Sequence, residues 1–568
     1  MPISTHFYNT QKLLIFVVSL ALSACSGSGD DKLFHETGID SGSISNNYKI
    51  DSNGIPSLGA ALPQKINDDF AAAKFLQRAS FGPTEASIRQ LRELGYTGWI
   101  AEQLQKPATF MLPITRRQNP PRWGEHVNSW QVVATNADDQ LRQRVAFALS
   151  QFFVVSDQGG LGDEQAALSN YYDILIANSF GNFRQLLELV TLSPIMGDYL
   201  SMKGNQKPDP ENGIRPDENY ARELLQLFSI GLVQMKPDGT VLLDENSVPL
   251  PTYDQQVIEA FAHVFTGWHF KDVDNWNYPK VTDWYAPMQA YQERHDTGEK
   301  NLLDGKVLPA GQSAEKDLKD ALDNIFHHPN VAPFFAKHMI KQLVTSNPSG
   351  EYIERVANAF NDDGNGIRGN IGAVVVAVLL DQEALTGYEE DPDTFGKLRQ
   401  PLLRLISLWR AFDGNPGHPE FSYSWINNRL NQAPLQSPSV FNFFSPTFSQ
   451  GGDIREMNLN SPEFQIHNES SIIDITSTLL AHSIWNNTVS TEKRQLAPID
   501  ISKLMLLDGD RAALYALLGK LTLAKPPSAS LRAQADFLLD ARKNSSSETR
   551  AEELLFLFVS SPEAAVQR

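Results

Sequence analysis

Beyond about residue 67, apolar side chains recur three and four positions apart, the spacing that lines them along one face of an α-helix. Ile88, Leu91 and Leu94 follow Thr84, a good N-cap behind Pro83, and Gly95 stands where a C′ stop is expected. Leu141, Val145, Ala148, Phe152 and Val155 carry the same spacing through a longer helix. Thr252 with Gln255 has the form of a capping box, opening a helix whose stripe is Val257, Phe261, Val264 and Phe265. Further helices are expected over 315–326, 331–344, 351–361, 370–381, 396–411, 470–483, 528–543 and 548–559. Strand signals are few: a hairpin over 234–243 about Pro237-Asp238-Gly239, and a tighter one over 302–308 about Asp304-Gly305. Residues 266–300 follow neither period. The pattern predicts an all-α body over 67–568 with small β-hairpin insertions. Helix–loop–helix units recur, but without the fixed period of a solenoid.

The first residues follow a different rule. Lys12 is the only charged side chain before Cys25, and Leu13 to Leu22 is an apolar run of about ten residues. That suits a signal-peptide core and falls short of the ~20 residues a bilayer span needs. Leu22-Ser23-Ala24-Cys25 resembles the bacterial lipobox, which predicts a signal peptide over 1–24 and lipidation of Cys25. Several acyl chains on one cysteine give a stable membrane anchor. Ser26, rather than an aspartate, follows the cysteine, so the expected address is the outer membrane or cell envelope, outside the cytoplasm. Residues 25–66, rich in Ser, Gly, Asn and Asp, read as a flexible tether with a reach of roughly 35 Å.

Composition narrows the chemistry. Cys25 is the only cysteine, so a lipidated chain has no thiol left for disulfides, thiolate–zinc sites or a cysteine nucleophile. Hydrophobic residues at 41% and charged residues at 20% read as globular. The net charge of −19 becomes −20 once Lys12 leaves, and opposes nucleic acid as a partner. The apolar run Ile371 to Leu380 is too short to cross a membrane.

Two constellations could carry activity. In a helix over 217–223, Glu218 and Arg222 lie four apart, as do Asn219 and Glu223, and Asp217 can cap it. Glu259 and His263 are four apart on the next helix, followed by His295 and Asp296. Glu218, Glu223, His263, His295 and Asp296 are therefore the candidate acid–base residues, with Asn219 and Arg222 beside them for ligand binding. The bland alternative is a polar network that locks helices together. Carboxylates and imidazoles would suit a divalent Zn, Fe or Mn. No H-E-x-x-H or His-x-His motif stands here, so no metal ligand is assigned and no cofactor is predicted. The second constellation is aromatic: Trp268, Phe270, Trp276, Tyr278, Trp284, Tyr285 and Tyr291 fall in one irregular stretch. Trp268, Trp276 and Trp284 are candidates for stacking on sugar rings, against the alternative of a loop plugging its own small core.

Several features mimic known sites. Gly364-Asn365-Gly366-Ile367-Arg368-Gly369 matches G-x-G-x-x-G but follows a helix, where a dinucleotide site needs a strand. Asn361, Asp363 and Asn365 imitate a calcium loop whose twelfth position is Gly372 instead of glutamate. A polar turn with glycines at positive φ accounts for both. His327-His328 reads as a helix end, where imidazolium suits the dipole.

Longer strings resemble one family. They are Ala73-Lys74-Phe75-Leu76-Gln77-Arg78-Ala79-Ser80-Phe81-Gly82-Pro83-Thr84, then Arg215-Pro216-Asp217-Glu218-Asn219-Tyr220-Ala221-Arg222-Glu223-Leu224-Leu225-Gln226-Leu227. Phe265-Thr266-Gly267-Trp268, His295-Asp296-Thr297-Gly298-Glu299-Lys300, Gly396-Lys397-Leu398-Arg399-Gln400-Pro401 and Ser437-Pro438-Ser439-Val440-Phe441-Asn442-Phe443-Phe444 continue them. From about residue 70 onward the chain resembles domain-of-unknown-function family 1800, secreted and mainly helical bacterial proteins of uncharacterised activity. The resemblance brings no mechanism. It implies a co-encoded, secreted sulfatase-like protein as a partner. Three functions stay open: a surface binding or assembly module, an envelope hydrolase or lyase on polysaccharide working through the Glu and His residues of 218–296, and a metalloprotein.

Overall fold

The computed structural model describes residues 65–414, 416, 425–479, 484 and 499–568. Cys25, the expected signal segment and nearly all of the expected tether lie outside them. Ile66 is already buried, so the body begins there.

Helices dominate and the strands are two-residue pairs, as the pattern predicts. Buried apolar residues from Ile66 to Ala564 join in one core. At its centre lie three helices buried on every side, Gln140–Ser150, Gln165–Ala177 and Ile371–Leu380. Ile371–Leu380 runs on into Gln382–Glu390, and the 20-residue pair is apolar and long enough to cross a membrane, but 72% of its apolar window is buried inside the body. The amphipathic helices surround this centre, each burying one stripe. Val331–Leu343 packs on Gly350–Asn361, which packs on Ile371–Leu380, and Ala529–Ala541 packs on Ser547–Ser560.

Predicted helix boundaries over 314–381 and 528–560 agree with the structure to within a residue or two, while the helix Gln382–Glu390 was not expected. Four expectations need correction. Gly95, at φ +71°, interrupts the helix Glu85–Gln105 without ending it, because the chain re-enters helix at once. The helix from Gln140 stops at Ser150: Ser156 and Asp157 instead bond to the backbone of Ser437 and Leu435. Phe152 and Val155 keep an apolar spacing only because the following segment is also core. Asp254, not Thr252, caps Gln255–Val264, while the Thr252 hydroxyl donates to the Gly231 carbonyl. Residues 396–400 are extended, since the backbone before Pro401 is pushed out of the helical region and proline then starts the helix Pro401–Ala411. Lys397–Leu398 pairs there with Val566–Gln567, so the C-terminal strand closes onto the middle of the chain.

Both expected hairpins form. Residues 233–251 make a short meander through bridges Met235↔Val241, Leu243↔Pro249 and Val233↔Pro251. Lys300–Asn301 pairs with Val307–Leu308 across Asp304 and Gly305, both at positive φ, as a tight twisted turn requires. A third pair, Trp268–His269 with Gln289–Ala290, ties off the irregular stretch. The glycine-rich 364–369 segment is a turn in which the Asp362 and Asp363 carboxylates accept backbone N–H groups.

Candidate functional site

Two packed helices carry the acid–base candidates. Tyr220, Ala221, Leu224 and Leu225 bury one face of Asn219–Gln226, and the Tyr220 hydroxyl donates to Thr191. Asp217 serves the helix start by accepting the Asn219 N–H at 2.8 Å. On the outer face Glu218 pairs with Arg222 at 2.8 Å, and Gln255 donates to Glu218 at 2.8 Å. Gln255 also reaches Glu259 at 3.4 Å. Gln255, Glu259 and His263 stand four apart along Gln255–Val264, so a polar strip runs up this helix. Asn219 is exposed beside it. Glu223 is turned inward: burial raises its carboxyl above the usual range, partly opposed by Arg222, and Oε2 has no partner.

At the top of the strip, His263 Nδ1 meets Asp296 Oδ2 at 2.6 Å, with the imidazole 33% exposed. The His263 bond is the main reason the Asp296 carboxyl lies at about 2, and the Gly298 N–H and the Lys300 ammonium add to it. The neighbouring His295 is buried. Its Nδ1 faces the Thr266 carbonyl at 2.9 Å and its Nε2 faces Asp317 at 3.0 Å. Lys300 completes this cluster, 2.8 Å from Asp317, and Gln312 donates to the same carboxylate. Burial alone would raise the Asp317 carboxyl, but the bonds from His295, Lys300 and Gln312 outweigh it and hold it low. Gly267 makes the packing possible: its φ is +85°, and a Cβ there would stand 2.9 Å from His295.

The aromatic stretch is pinned by its own polar groups. Asp274 accepts the N–H of Lys280 and Val281, Asn275 those of Asn277 and Tyr278, and Asp283 those of Tyr285 and Ala286. Trp268 and Phe270 point into the core, so Trp268 is a packing residue in this structure. Trp284 meets Phe270 edge-on at 4.7 Å, and Lys203 Nζ lies 4.2 and 4.5 Å from those two rings. Trp276 sits against His269 and Tyr291, half-buried under Arg294. Tyr278 is 80% exposed.

The structure thus brings Glu218, Arg222 and Asn219 onto one surface with His263 and Asp296, and separates Glu223 and His295 from it by burial. Asp317 and Lys300, which define the buried cluster, were not among the candidates: Asp317 lies far along the chain from all of them, and Lys300, four residues after Asp296, stands in a strand and not on a helix face. Among the described residues, no group of three His, Asp or Glu is placed to hold a metal. Cavities of about 480 Å³ beside Ile114 and Val132 and about 240 Å³ beside Lys74 and Tyr96 lie away from every candidate residue. His328, expected as a cation at a helix end, is buried with its pKa lowered by desolvation, and its Nδ1 accepts the Asn330 N–H.

A family model described as "Protein of unknown function (DUF1800)" matches residues 74–566. The chain belongs to this family. No curated protein and no solved structure matches it. Two DUF1800 motifs meet in the core rather than at the strip: Gln151 donates to Gln400 at 3.1 Å, and Asn442 donates to Gln151 at 3.3 Å. Gln400 donates onward to Gln342, and Gln432 donates to Gln400. This buried amide chain joins four segments distant in sequence, which is a structural role.

Proposed function

We propose that this DUF1800 protein is a cell-envelope lipoprotein, anchored through Cys25, whose body is a binding module for envelope polysaccharide. What supports the reading above all is the pinned aromatic loop of 268–291, which exposes Tyr278 and leaves Trp276 and Trp284 half-buried beside it. The chain leads from this loop to the strip: Arg294 covers Trp276, and Asp296, two residues on, pairs with His263. Rings held in place lose little entropy on stacking against sugars, and the polar strip supplies donors and acceptors for hydroxyl groups. The test is polysaccharide binding by the full-length chain in detergent. Trp276→Ala and Tyr278→Ala should each weaken binding about tenfold, ~1.4 kcal/mol. Unchanged affinity in both variants removes the loop as the contact surface. If no polysaccharide binds but the co-encoded sulfatase-like protein is retained, the module serves assembly instead.

A second reading, an envelope hydrolase or lyase, has one observation in its favour. His263 is oriented by Asp296 through Nδ1, while Nε2 has no partner among the described residues, the arrangement of a general base. His263→Ala separates the two: it abolishes turnover of a polysaccharide substrate in an enzyme, and in a binding module it costs only one hydrogen bond of affinity, about 0.5–1.5 kcal/mol. Cys25→Ala should release the mature protein from membranes or leave it unprocessed. Unchanged processing and membrane attachment would overturn the anchor.

A further inference from the structure

On the far side of the core two guanidinium groups face one another without an anion. Arg399 and Arg404, from the extended segment and first turn around Pro401, are 6% and 7% exposed. Arg399 Nη1 reaches only the Ala564 carbonyl, at 3.4 Å. Arg404 donates to the Val559 carbonyl at 3.0 Å and lies 3.4 Å from His467 Nε2. Among the described residues neither has a carboxylate within ion-pair distance. Glu463 pairs through Oε1 with Lys397 at 2.7 Å and with neither arginine. The buried Arg144 adds further positive charge, and its presence with Arg404, after burial itself, lowers Arg399 to about 9.

Both arginines line one small, narrow-mouthed cavity of about 20 Å³. That is room for one water-sized particle. Its polar lining is Arg399, Arg404, Ser407 and Thr522, and the rest is leucine, valine and alanine. Thr522 spends its hydroxyl hydrogen on the Leu518 carbonyl, whereas the Ser407 hydroxyl, packed against Gly82, has no hydrogen-bond partner among the described residues and can turn toward the cavity. Two buried like charges with unpaired N–H groups are costly in a low-dielectric interior. A water would satisfy hydrogen bonds and leave the charge. A monatomic anion satisfies both.

We propose that this cavity is a buried halide site, occupied by chloride, held by Arg399 and Arg404 and completed by Ser407. It clamps the Pro401–Ala411 helix to the C-terminal helices that carry Val559 and Ala564. Crystals of the full chain grown in bromide, measured at the bromine absorption edge, should show an anomalous peak between the two guanidinium groups. In solution, raising chloride at constant ionic strength against gluconate should raise Tm, by about 3 °C at a hundredfold excess over Kd. Ser407→Ala, which keeps both charges, should shift the chloride midpoint upward several-fold. Arg404→Gln should flatten the chloride dependence. A peak without anomalous signal is a water and overturns the site. An anomalous peak with a Tm indifferent to chloride marks an adventitious ion only, and also overturns it.

Discussion

Two of the His–Asp pairs of this body use the same side chains and even adjacent residues, His295 and Asp296, yet they end in opposite environments. Asp296 turns outward to His263, whose ring is one-third exposed. His295 turns inward to Asp317, and both are sealed from solvent. The cause is local geometry. His295 lies in extended backbone, φ −79° and ψ 141°, after the short helix Gln292–Arg294. Successive residues in extended chain project to opposite sides, so one enters the core and the next cannot. Inside, Lys300 and Gln312 saturate the carboxylate and the pair becomes a clamp. Outside, His263 Nε2 has no partner among the described residues. The difference teaches that residue type alone does not separate a clamp from a site; burial and the third partner do.

The sharpest way to break this contrast is Asp317→Ala. It strands the buried Lys300 ammonium and the His295 ring, and should cost about 3–5 kcal/mol of unfolding free energy by denaturant titration. A loss under about 1 kcal/mol would mean the inner pair is no clamp. Asp296→Asn should cost less, about 1 kcal/mol at neutral pH, because water screens the outer pair. Its pH dependence has a definite sign. The Asp296 carboxyl titrates at about 2 when folded against 3.8 otherwise. A lowered folded-state pKa gives stability that is complete above about pH 4 and is lost as pH falls toward 2. The deficit of Asp296→Asn relative to the parent should therefore vanish across that window; a deficit that persists at about pH 2 would show packing, not charge, at work. The smallest effect is expected of Tyr278→Ala, within about 0.5 kcal/mol in stability. That leaves it usable as a clean probe of ligand binding.

Much of the helical frame was legible along the chain. Stripes such as Leu318, Ala321, Leu322 and Ile325 locate a helix because a half-buried helix must repeat its apolar face. The pattern failed where burial is complete or the backbone is set by a neighbour. Gln140–Ser150 is core on all sides, so nothing in its polarity marks Ser150 as the last helical residue. Lys397–Leu398 is a strand only because Val566 and Gln567 return to it from the far end. The candidate site was legible in part: the four-residue spacing of Glu218 with Arg222, and of Glu259 with His263, is a local property and reappears as one surface. Trp268 and Trp276 look alike in sequence, yet one packs inside and the other half-opens.

By itself, then, the sequence determined what depends on neighbours a few residues away: the helical class, the tight turn at Asp304-Gly305, the outer face of the two site helices and the family. Only the tertiary structure decided which charges are left in water. Asp317 reaches His295 across 22 residues, and the Arg399 side chain reaches the Ala564 carbonyl across 165. Such contacts are set by how layers close on one another, and a carboxylate or guanidinium changes its role when that closure removes its solvent.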